Sequence, residues 1–189
     1  MGDTKKESKK NVVFLGSSVT YGAASGGVSF ADFVSERNGW NMIKEAVSGT
    51  TLADKDDESY VSRLKKIEVD KVDLFICQLS TNDASQNIPL NDVRDAINFI
   101  ISFVREKWNC PIAFYTNPKY DSKEYEAMVD LMKEITEKEN LILINMWDDN
   151  ELNSAIDADR ARFMADPIHP TKDGYLEIMT PFVEKYNLI

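Results

Sequence analysis

One serine in the sequence has the setting of a catalytic nucleophile. Ser18 lies in the segment Leu15-Gly-Ser-Ser-Val-Thr-Tyr-Gly22, directly after an apolar run that begins at Asn11. A serine on a tight strand-to-helix turn can present its hydroxyl at the sheet edge, with its own backbone N–H in the same cleft. The segment lacks the Gly-Lys of a phosphate-binding loop, and Thr20 stands where the α/β-hydrolase elbow needs glycine. Taken alone, it is better explained as a serine-rich turn.

The single histidine is the only imidazole available as a general base. His169 lies in the segment Asp166-Pro-Ile-His169-Pro170, where the prolines stiffen the loop. A carboxylate three residues earlier can hold one ring nitrogen while the other faces outward. In isolation this pattern is more typical of a loop histidine that is hydrogen-bonded for structural reasons.

Two more loops could supply donors to an oxyanion. Gly49, in Ala46-Val-Ser-Gly-Thr50, follows a strand-like run and can offer a backbone N–H with no side chain in the way. Asn82, in Gln78-Leu-Ser-Thr-Asn-Asp83, follows the most apolar run. Its amide could cap the next turn, which is the commoner role, or donate to developing negative charge.

These residues occur along the chain in the order Ser18, Gly49, Asn82, Asp166 and His169, each in a loop predicted at the same sheet edge. Together they could supply a nucleophile, three oxyanion donors and a base with its orienting carboxylate. The sequence resembles the SGNH (GDSL-like) hydrolases, whose four blocks are Ser in a G-D-S-like turn, a lone Gly, Asn in a G-x-N-D-like turn, and D-x-x-H near the C-terminus. The resemblance covers about residue 11 to the end. It implies a flavodoxin-like fold and hydrolysis of an acyl ester through an acyl-serine intermediate, without metal or organic cofactor.

The resemblance also implies the role of each residue. Ser18 would attack, His169 would accept its proton, and Asp166 would orient the imidazole. The Ser18 N–H, the Gly49 N–H and the Asn82 side chain would form the oxyanion hole. The sequence departs from the family pattern twice: Ser17 stands where the family has aspartate before the nucleophile, and Ser80 replaces the glycine of the third block.

Alternating strand and helix patterns must position these loops. Continuously apolar runs such as that from Asp73 to Leu79 are typical of parallel strands covered on both faces. The pattern predicts a three-layer α/β/α sandwich with about five parallel strands, whose carboxyl ends would carry the four loops. The predicted strands are Asn11–Leu15, Met42–Val47, Val72–Leu79, Pro111–Tyr115 and Leu141–Asn145.

Helical patterns fill the intervals between these runs. Shorter amphipathic helices are predicted over Ser29–Arg37 and Ser59–Ile67, and a longer one over Asn91–Lys107. Asp121 to Glu124 has the pattern of a capping box and precedes an apolar stripe at helical spacing. Thr171 could cap a last helix that reaches about Lys185.

Composition restricts the class of protein. The chain has 189 residues and a net charge of −10, from 22 Lys and Arg against 32 Asp and Glu, which disfavours nucleic acid as a partner. It has no apolar run long enough to span a membrane and no charged-then-apolar leader, so we expect a cytoplasmic protein without membrane insertion. Residues 1–10 are interpreted as a disordered leader and residues 11–189 as a single domain. The two cysteines, Cys77 and Cys110, lack metal-ligand spacing and are expected to be reduced, buried thiols.

The leading hypothesis is an esterase acting on a small-molecule ester. A thiol enzyme is disfavoured because Cys77 lies inside a strand with no histidine nearby in sequence. The alternative is a catalytically silent module that binds a carbohydrate or acyl ligand in the same cleft. The chain has no large lid insertion between Asn82 and Asp166, so we expect a short acyl group on a small or sugar alcohol.

Overall fold

A parallel five-stranded sheet forms the centre of residues 8–189, which are the part of the chain described by this computed structural model. Its strand order is β2-β1-β3-β4-β5, and all four neighbouring pairs are parallel. Each of the five predicted strands is confirmed to within two residues at either end. The strands are β1 Asn11–Gly16, β2 Asn41–Ala46, β3 Leu74–Gln78, β4 Ile112–Tyr115 and β5 Ile142–Ile144.

Helices cover both faces of the sheet and give the three-layer α/β/α sandwich expected from the sequence. Two long amphipathic helices, α5 and α6, pack with α3 on one face, and α2, α7 and α9 pack on the other. The helices are α1 Ser18–Tyr21, α2 Phe30–Asn38, α3 Tyr60–Leu64, α4 Thr81–Ser85, α5 Leu90–Lys107, α6 Lys123–Glu139, α7 Asn150–Ala158, α8 Arg160–Phe163 and α9 Thr180–Glu184. A short 3₁₀ turn covers Ala23–Ser25, and a π-helical stretch, Gly174–Met179, runs into α9.

The strand sequences explain why the sheet is buried on both sides. In β1, Val13 and Leu15 face the α3/α5/α6 layer, whereas Val12 and Phe14 face the α2/α7/α9 layer. All four side chains are fully buried. A strand with alternate residues in two separate cores needs apolar residues at every position, as the sequence has here.

The strand order reverses between β1 and β3, which places a crevice at the carboxyl ends of these two central strands. The loop after β1 carries Ser18, and the loop after β3 carries Asn82. Gly49 follows β2 on the other side of β1. The topology therefore brings three of the four predicted loops to neighbouring strand ends.

Several local predictions need correction. Ser122, not Asp121, caps α6, because its side chain accepts the Tyr125 N–H at 3.0 Å. The capping box of this protein is in α2 instead, between Ser29 and Asp32. Helices α7 and α8 were not predicted, since their apolar pattern is too sparse. Cys110 is only half-buried, and burial raises the pKa of its thiol to about 11.

Thr171 caps the helical stretch that continues through Gly174–Met179 into α9, as predicted, since its hydroxyl accepts the Gly174 N–H at 3.2 Å. Residues 1–7 of the predicted leader lie outside the described residues, and the fold begins with β1 at Asn11. Within residues 8–189, no helix combines the length and the apolar character that crossing a membrane would require.

Candidate active site

Ser18, His169 and Asp166 form a continuous chain of contacts. The Ser18 Oγ lies 2.8 Å from the His169 Nε2, and the His169 Nδ1 lies 2.7 Å from the Asp166 Oδ2. A neutral imidazole with its proton on Nδ1 satisfies both contacts, because it donates to the carboxylate and accepts from the serine hydroxyl. The serine is buried and the imidazole is about one quarter exposed. In this arrangement the hydroxyl could serve as a nucleophile, with the imidazole as its general base and the carboxylate orienting the ring.

The Asp166 carboxylate also shapes the loop that carries His169. Its Oδ1 accepts the backbone N–H groups of Ile168 at 2.8 Å and His169 at 2.7 Å. Partial burial raises the pKa of Asp166, but these hydrogen bonds and the imidazole together lower it below its ordinary value. The carboxylate thus remains ionised at neutral pH and holds both the ring and the turn beneath it.

The loops that carry Gly49 and Asn82 are joined through Thr50. The Asn82 Nδ2 donates to the Thr50 backbone oxygen at 2.8 Å, and this bond leaves its second amide hydrogen available. Gly49 has a φ of +82°, a conformation that glycine adopts without strain. The turn cap after β3 is Ser80, whose Oγ accepts the Asn82 N–H at 3.1 Å. The capping role that Asn82 could have had therefore belongs to Ser80.

Gln78, at the end of β3, hydrogen-bonds the turn that carries Ser18. Its Oε1 accepts from the Ser17 backbone N–H at 2.9 Å and from the Thr20 hydroxyl at 2.8 Å. Gly16 is needed here, because a Cβ at that position would lie only 1.9 Å from the Thr20 Oγ1. The buried Gln78 Nε2 has no partner among the described residues, which costs stability. The contacts of its Oε1 to the turn oppose this cost.

Three buried tyrosines bond the residues on either side of Ser18. The Tyr60 hydroxyl donates to the Ser17 Oγ at 3.0 Å, and the Tyr175 hydroxyl donates to the Val19 backbone oxygen at 2.7 Å. The Tyr115 hydroxyl lies 2.5 Å from the Thr20 Oγ1. The turn is therefore fixed at the positions before and after the serine, while the Ser18 hydroxyl contacts only the imidazole among these groups.

The buried tyrosines of this protein lead to a prediction about its stability at alkaline pH. Burial raises the pKa of five of the seven tyrosines, since a phenolate would lose its hydration. In the unfolded chain a tyrosine ionises near pH ~10, so the folded protein loses stability as the pH rises above that value. We expect phenolate absorbance and loss of circular dichroism to rise together in one transition. Extensive phenolate formation in a still folded protein would contradict this prediction.

Asp83 and Arg63 are buried charged residues at the site that the sequence did not single out. The Asp83 carboxylate accepts the backbone N–H groups of Leu52 at 2.7 Å and Ala53 at 2.9 Å, which ties the segment after Gly49 to α4. Burial raises the pKa of Asp83, and its hydrogen bonds to this segment oppose that effect. For Arg63, the sequence offered one signal: the residue is a charge on the otherwise apolar face of α3.

The two departures from the family pattern both have supporting roles. Ser17 accepts from Tyr60 and lies 3.4 Å from the Gln78 Oε1. Ser80 caps α4, as described above, and its Oγ lies 3.5 Å from the Thr50 backbone oxygen. Both side chains are fully buried, so they act on the loops and leave the Ser18–His169 contact unobstructed.

Comparison with solved structures shows that this fold recurs widely. A member of the lipolytic protein G-D-S-L family from Veillonella parvula matches with a TM-score of 0.73 at 15% identity, covering 94% of this chain and 97% of the other. An acetyl xylan esterase, AlAXEase, matches with a TM-score of 0.73 at 11% identity, covering 93% and 98%. A family two carbohydrate esterase from Clostridium thermocellum, in complex with cellohexaose, matches with a TM-score of 0.71 at 14% identity, covering 95% and 65%. No curated protein sequence matches this chain.

The family match is independent of these structures. A model of the GDSL-like Lipase/Acylhydrolase family matches residues 14–176, which is most of the chain. The matched stretch begins in β1 and includes the Ser18 turn, both loops joined by Thr50, and the Asp166–His169 loop. With its fold and its four loops accounted for, this chain belongs to the GDSL-like Lipase/Acylhydrolase family.

Proposed function

We propose that this protein is a serine esterase that cleaves an acyl ester through an acyl-serine intermediate. The observation that carries the proposal is the chain of contacts from the Ser18 Oγ through the imidazole to the Asp166 carboxylate, at 2.8 Å and 2.7 Å. A serine hydroxyl is a weak nucleophile unless a base removes its proton as it attacks. In this protein His169 is the only imidazole that could do so.

The reaction follows from these contacts. The Ser18 Oγ attacks the ester carbonyl carbon while the His169 Nε2 takes the hydroxyl proton, and a tetrahedral oxyanion forms. When this intermediate collapses, the bond to the alcohol oxygen breaks and the imidazolium returns the proton to the leaving alcohol. Water then attacks the acyl-serine with the same assistance, which releases the acid and restores the Ser18 hydroxyl.

The oxyanion would be held by three donors. Ser18 is the first residue of α1, so its backbone N–H is one of those that a helix start leaves unpaired. The Gly49 N–H and the remaining amide hydrogen of Asn82 belong to the loops joined at Thr50. Donors fixed in advance stabilise charge that exists only in the transition state, which is why such a site accelerates acyl transfer.

The substrate we propose is an ester of a short acyl group with a small or sugar alcohol. Two structural neighbours support this choice, one being an acetyl xylan esterase and the other a carbohydrate esterase. The reaction as proposed needs no metal or organic cofactor, because the proton, the nucleophile and the oxyanion donors all come from the chain. We also propose that neither nucleic acid nor a membrane is a partner, in line with the charge of −10.

A panel of esters tests the proposal. Purified protein would be assayed with p-nitrophenyl esters of increasing chain length and with acetylated xylan and cello-oligosaccharides, beside the Ser18→Ala variant. We expect turnover of the acetate, a decline with longer chains, and no turnover by the variant. Binding of a sugar ester without turnover in the wild-type protein would instead support a silent binding module.

Replacing Asn82 by alanine should lower kcat by roughly 10²–10³-fold and leave KM nearly unchanged, because the amide would act on charge absent from the ground state. The measurement is steady-state kinetics on the preferred ester, with circular dichroism to verify the fold. Asn82→Asp is the informative companion, since it keeps the shape but places a negative charge near the oxyanion. We expect it to be impaired at least as strongly. Near-full activity of Asn82→Ala would place the oxyanion hole elsewhere.

A further inference from the structure

Arg63 is a buried arginine whose hydrogen-bonding capacity is fully used. It is 6% exposed, on α3, with the guanidinium 5.3 Å from the Tyr60 ring. Its Nε donates to the Glu58 backbone oxygen at 2.8 Å, and its Nη1 to the Glu45 backbone oxygen at 3.0 Å and to the Glu45 Oε1 at 3.1 Å. Its Nη2 donates to the Gly16 backbone oxygen at 2.8 Å and to the Thr50 Oγ1 at 3.0 Å. These are five contacts for the five N–H donors of a guanidinium.

The two acceptors of the Arg63 Nη2, Gly16 and Thr50, adjoin the segments that carry the proposed oxyanion donors. The Gly16 carbonyl ends β1, two residues before the nucleophile. Thr50 directly follows Gly49, and its hydroxyl also donates to the Val47 backbone oxygen at 2.7 Å, which closes the turn around Gly49. The backbone oxygen of the same Thr50 accepts the Asn82 amide at 2.8 Å. Through Gly16 and Thr50, one guanidinium is thus linked to all three donors.

Because Arg63 is buried, few other side chains could replace its hydrogen bonds. A guanidinium in the interior loses hydration, so its hydrogen bonds to the protein must replace those to water. Only a planar fork reaches several acceptors at fixed angles, because a lysine ammonium is a compact charge with three donors. The charge partner of Arg63 among the described residues is the Glu45 carboxylate, whose side chain is 36% exposed. The remaining four contacts go to neutral oxygens, namely three backbone carbonyls and the Thr50 hydroxyl.

We propose that Arg63 is a positioning residue of the oxyanion hole, an inference that rests on the proposed esterase function. Its guanidinium sets the distance between the end of β1 and the Gly49–Thr50 turn, and through Thr50 it sets the Asn82 amide. Arg63 touches neither the substrate nor Ser18 in this role. Its effect is on how well the donors match the transition state, and ground-state binding is left nearly unaffected.

Kinetics of Arg63 variants give the first test. We expect Arg63→Lys and Arg63→Ala to lower kcat by roughly 10–10²-fold with KM changed by less than about threefold. Arg94→Ala is the matched control, because that arginine is exposed and bonds only the Glu134 carboxylate in the described part of the chain. It should retain wild-type kinetics. If Arg63→Ala does not fold, Arg63→Lys alone provides the test, since it keeps the positive charge and removes the planar fork.

A double-mutant cycle separates positioning from general destabilisation. If Arg63 acts through the oxyanion donors, Arg63→Lys should cost much less in the Asn82→Ala background than in the wild-type protein. Guanidinium ion at millimolar concentration should also restore part of the kcat of Arg63→Ala, while urea and sodium chloride should not. Full additivity of the two substitutions, or guanidinium rescue of thermal stability without rescue of kcat, would overturn the proposal.

Nuclear magnetic resonance tests Arg63 independently of turnover. In the wild-type protein we expect sharp resonances for the Gly49 amide and the Asn82 side-chain amide, and in Arg63→Lys we expect both to shift or broaden, with exposed amides unchanged. If the wild-type protein hydrolyses no ester while these resonances respond to Arg63→Lys, the esterase proposal fails and the positioning contact stands. Unchanged resonances in an active variant would overturn the role of Arg63 alone.

Discussion

Replacing Ser18 by alanine is expected to abolish esterase activity, with a loss of kcat of roughly 10⁴–10⁶-fold. The reason is that the hydroxyl 2.8 Å from the His169 Nε2 forms the bond to the acyl carbon, and no other group stands in its place. The fold should be unaffected, since the turn is held by Gln78 and the three tyrosines. The measurement is turnover of the preferred ester, together with covalent labelling by a fluorophosphonate and mass mapping of the adduct.

Ser17→Ala is the matched control for this substitution. Ser17 is the neighbouring serine, fully buried, and its hydroxyl accepts from Tyr60. Its loss should lower stability by about 1–3 kcal/mol and activity by at most about tenfold, because the buried Tyr60 hydroxyl loses its acceptor but the nucleophile remains. The fluorophosphonate should label this variant at Ser18. An adduct at Ser17, Ser48 or Ser80 in the wild-type protein would show that the nucleophile has been misassigned.

The sheet was predictable because its signal is local. Each strand is a short continuous apolar run, and burial on both faces requires that pattern along the strand itself, as in Leu74–Gln78. Helices α7 and α8 were missed for the same reason. In α7 only Leu152 and Ile156 are buried, which is too few positions for a period to be recognised. The cap of α6 shows the remaining error, since Asp121 and Ser122 are both good capping residues and only the backbone decides between them.

The proposed site was accessible from the sequence only in part. Asp166 and His169 are three residues apart, so their contact could be inferred directly. Ser18 and His169 are separated by 151 residues, and their proximity follows only when both loops are placed at the carboxyl edge of a parallel sheet. The family resemblance supplied the pairing that spacing alone could not provide.

The supports of the site were not accessible. Arg63 is a charge on the apolar face of a short predicted helix, and Gln78 is the polar end of an apolar strand, but neither pattern shows which groups the side chain binds. Their importance depends on backbone groups at the strand ends that take a side-chain partner, such as the Gly16 oxygen, which accepts from Arg63 as well as from the Val47 N–H, and the Ser17 N–H, which donates to Gln78. Which backbone groups take a side-chain partner depends on the tertiary arrangement. A sequence shows the donors and acceptors of side chains but not the backbone groups that need them.

Replacing His169 by alanine should lower kcat about as far as Ser18→Ala, by roughly 10⁴–10⁶-fold, because the base and its proton transfer are both lost. Asp166 is more informative. Its lowered pKa keeps it ionised as the pH falls, so its contribution to loop stability is present above the unfolded pKa and is lost only in acid. At neutral pH and above, the Asp166 carboxylate should therefore add no pH dependence of its own to activity.

Asp166→Asn is expected to lower kcat by roughly 10²–10⁴-fold without unfolding the loop. The asparagine oxygen can still accept the Ile168 and His169 N–H groups. Its NH₂ would then face the His169 Nδ1, which must accept, so the ring proton moves to Nε2 and that nitrogen can no longer take the proton of Ser18. Because the chain has one histidine, long-range proton–nitrogen NMR reports this tautomer without overlap. A variant with the proton still on Nδ1 and near wild-type kcat would refute the orienting role of Asp166.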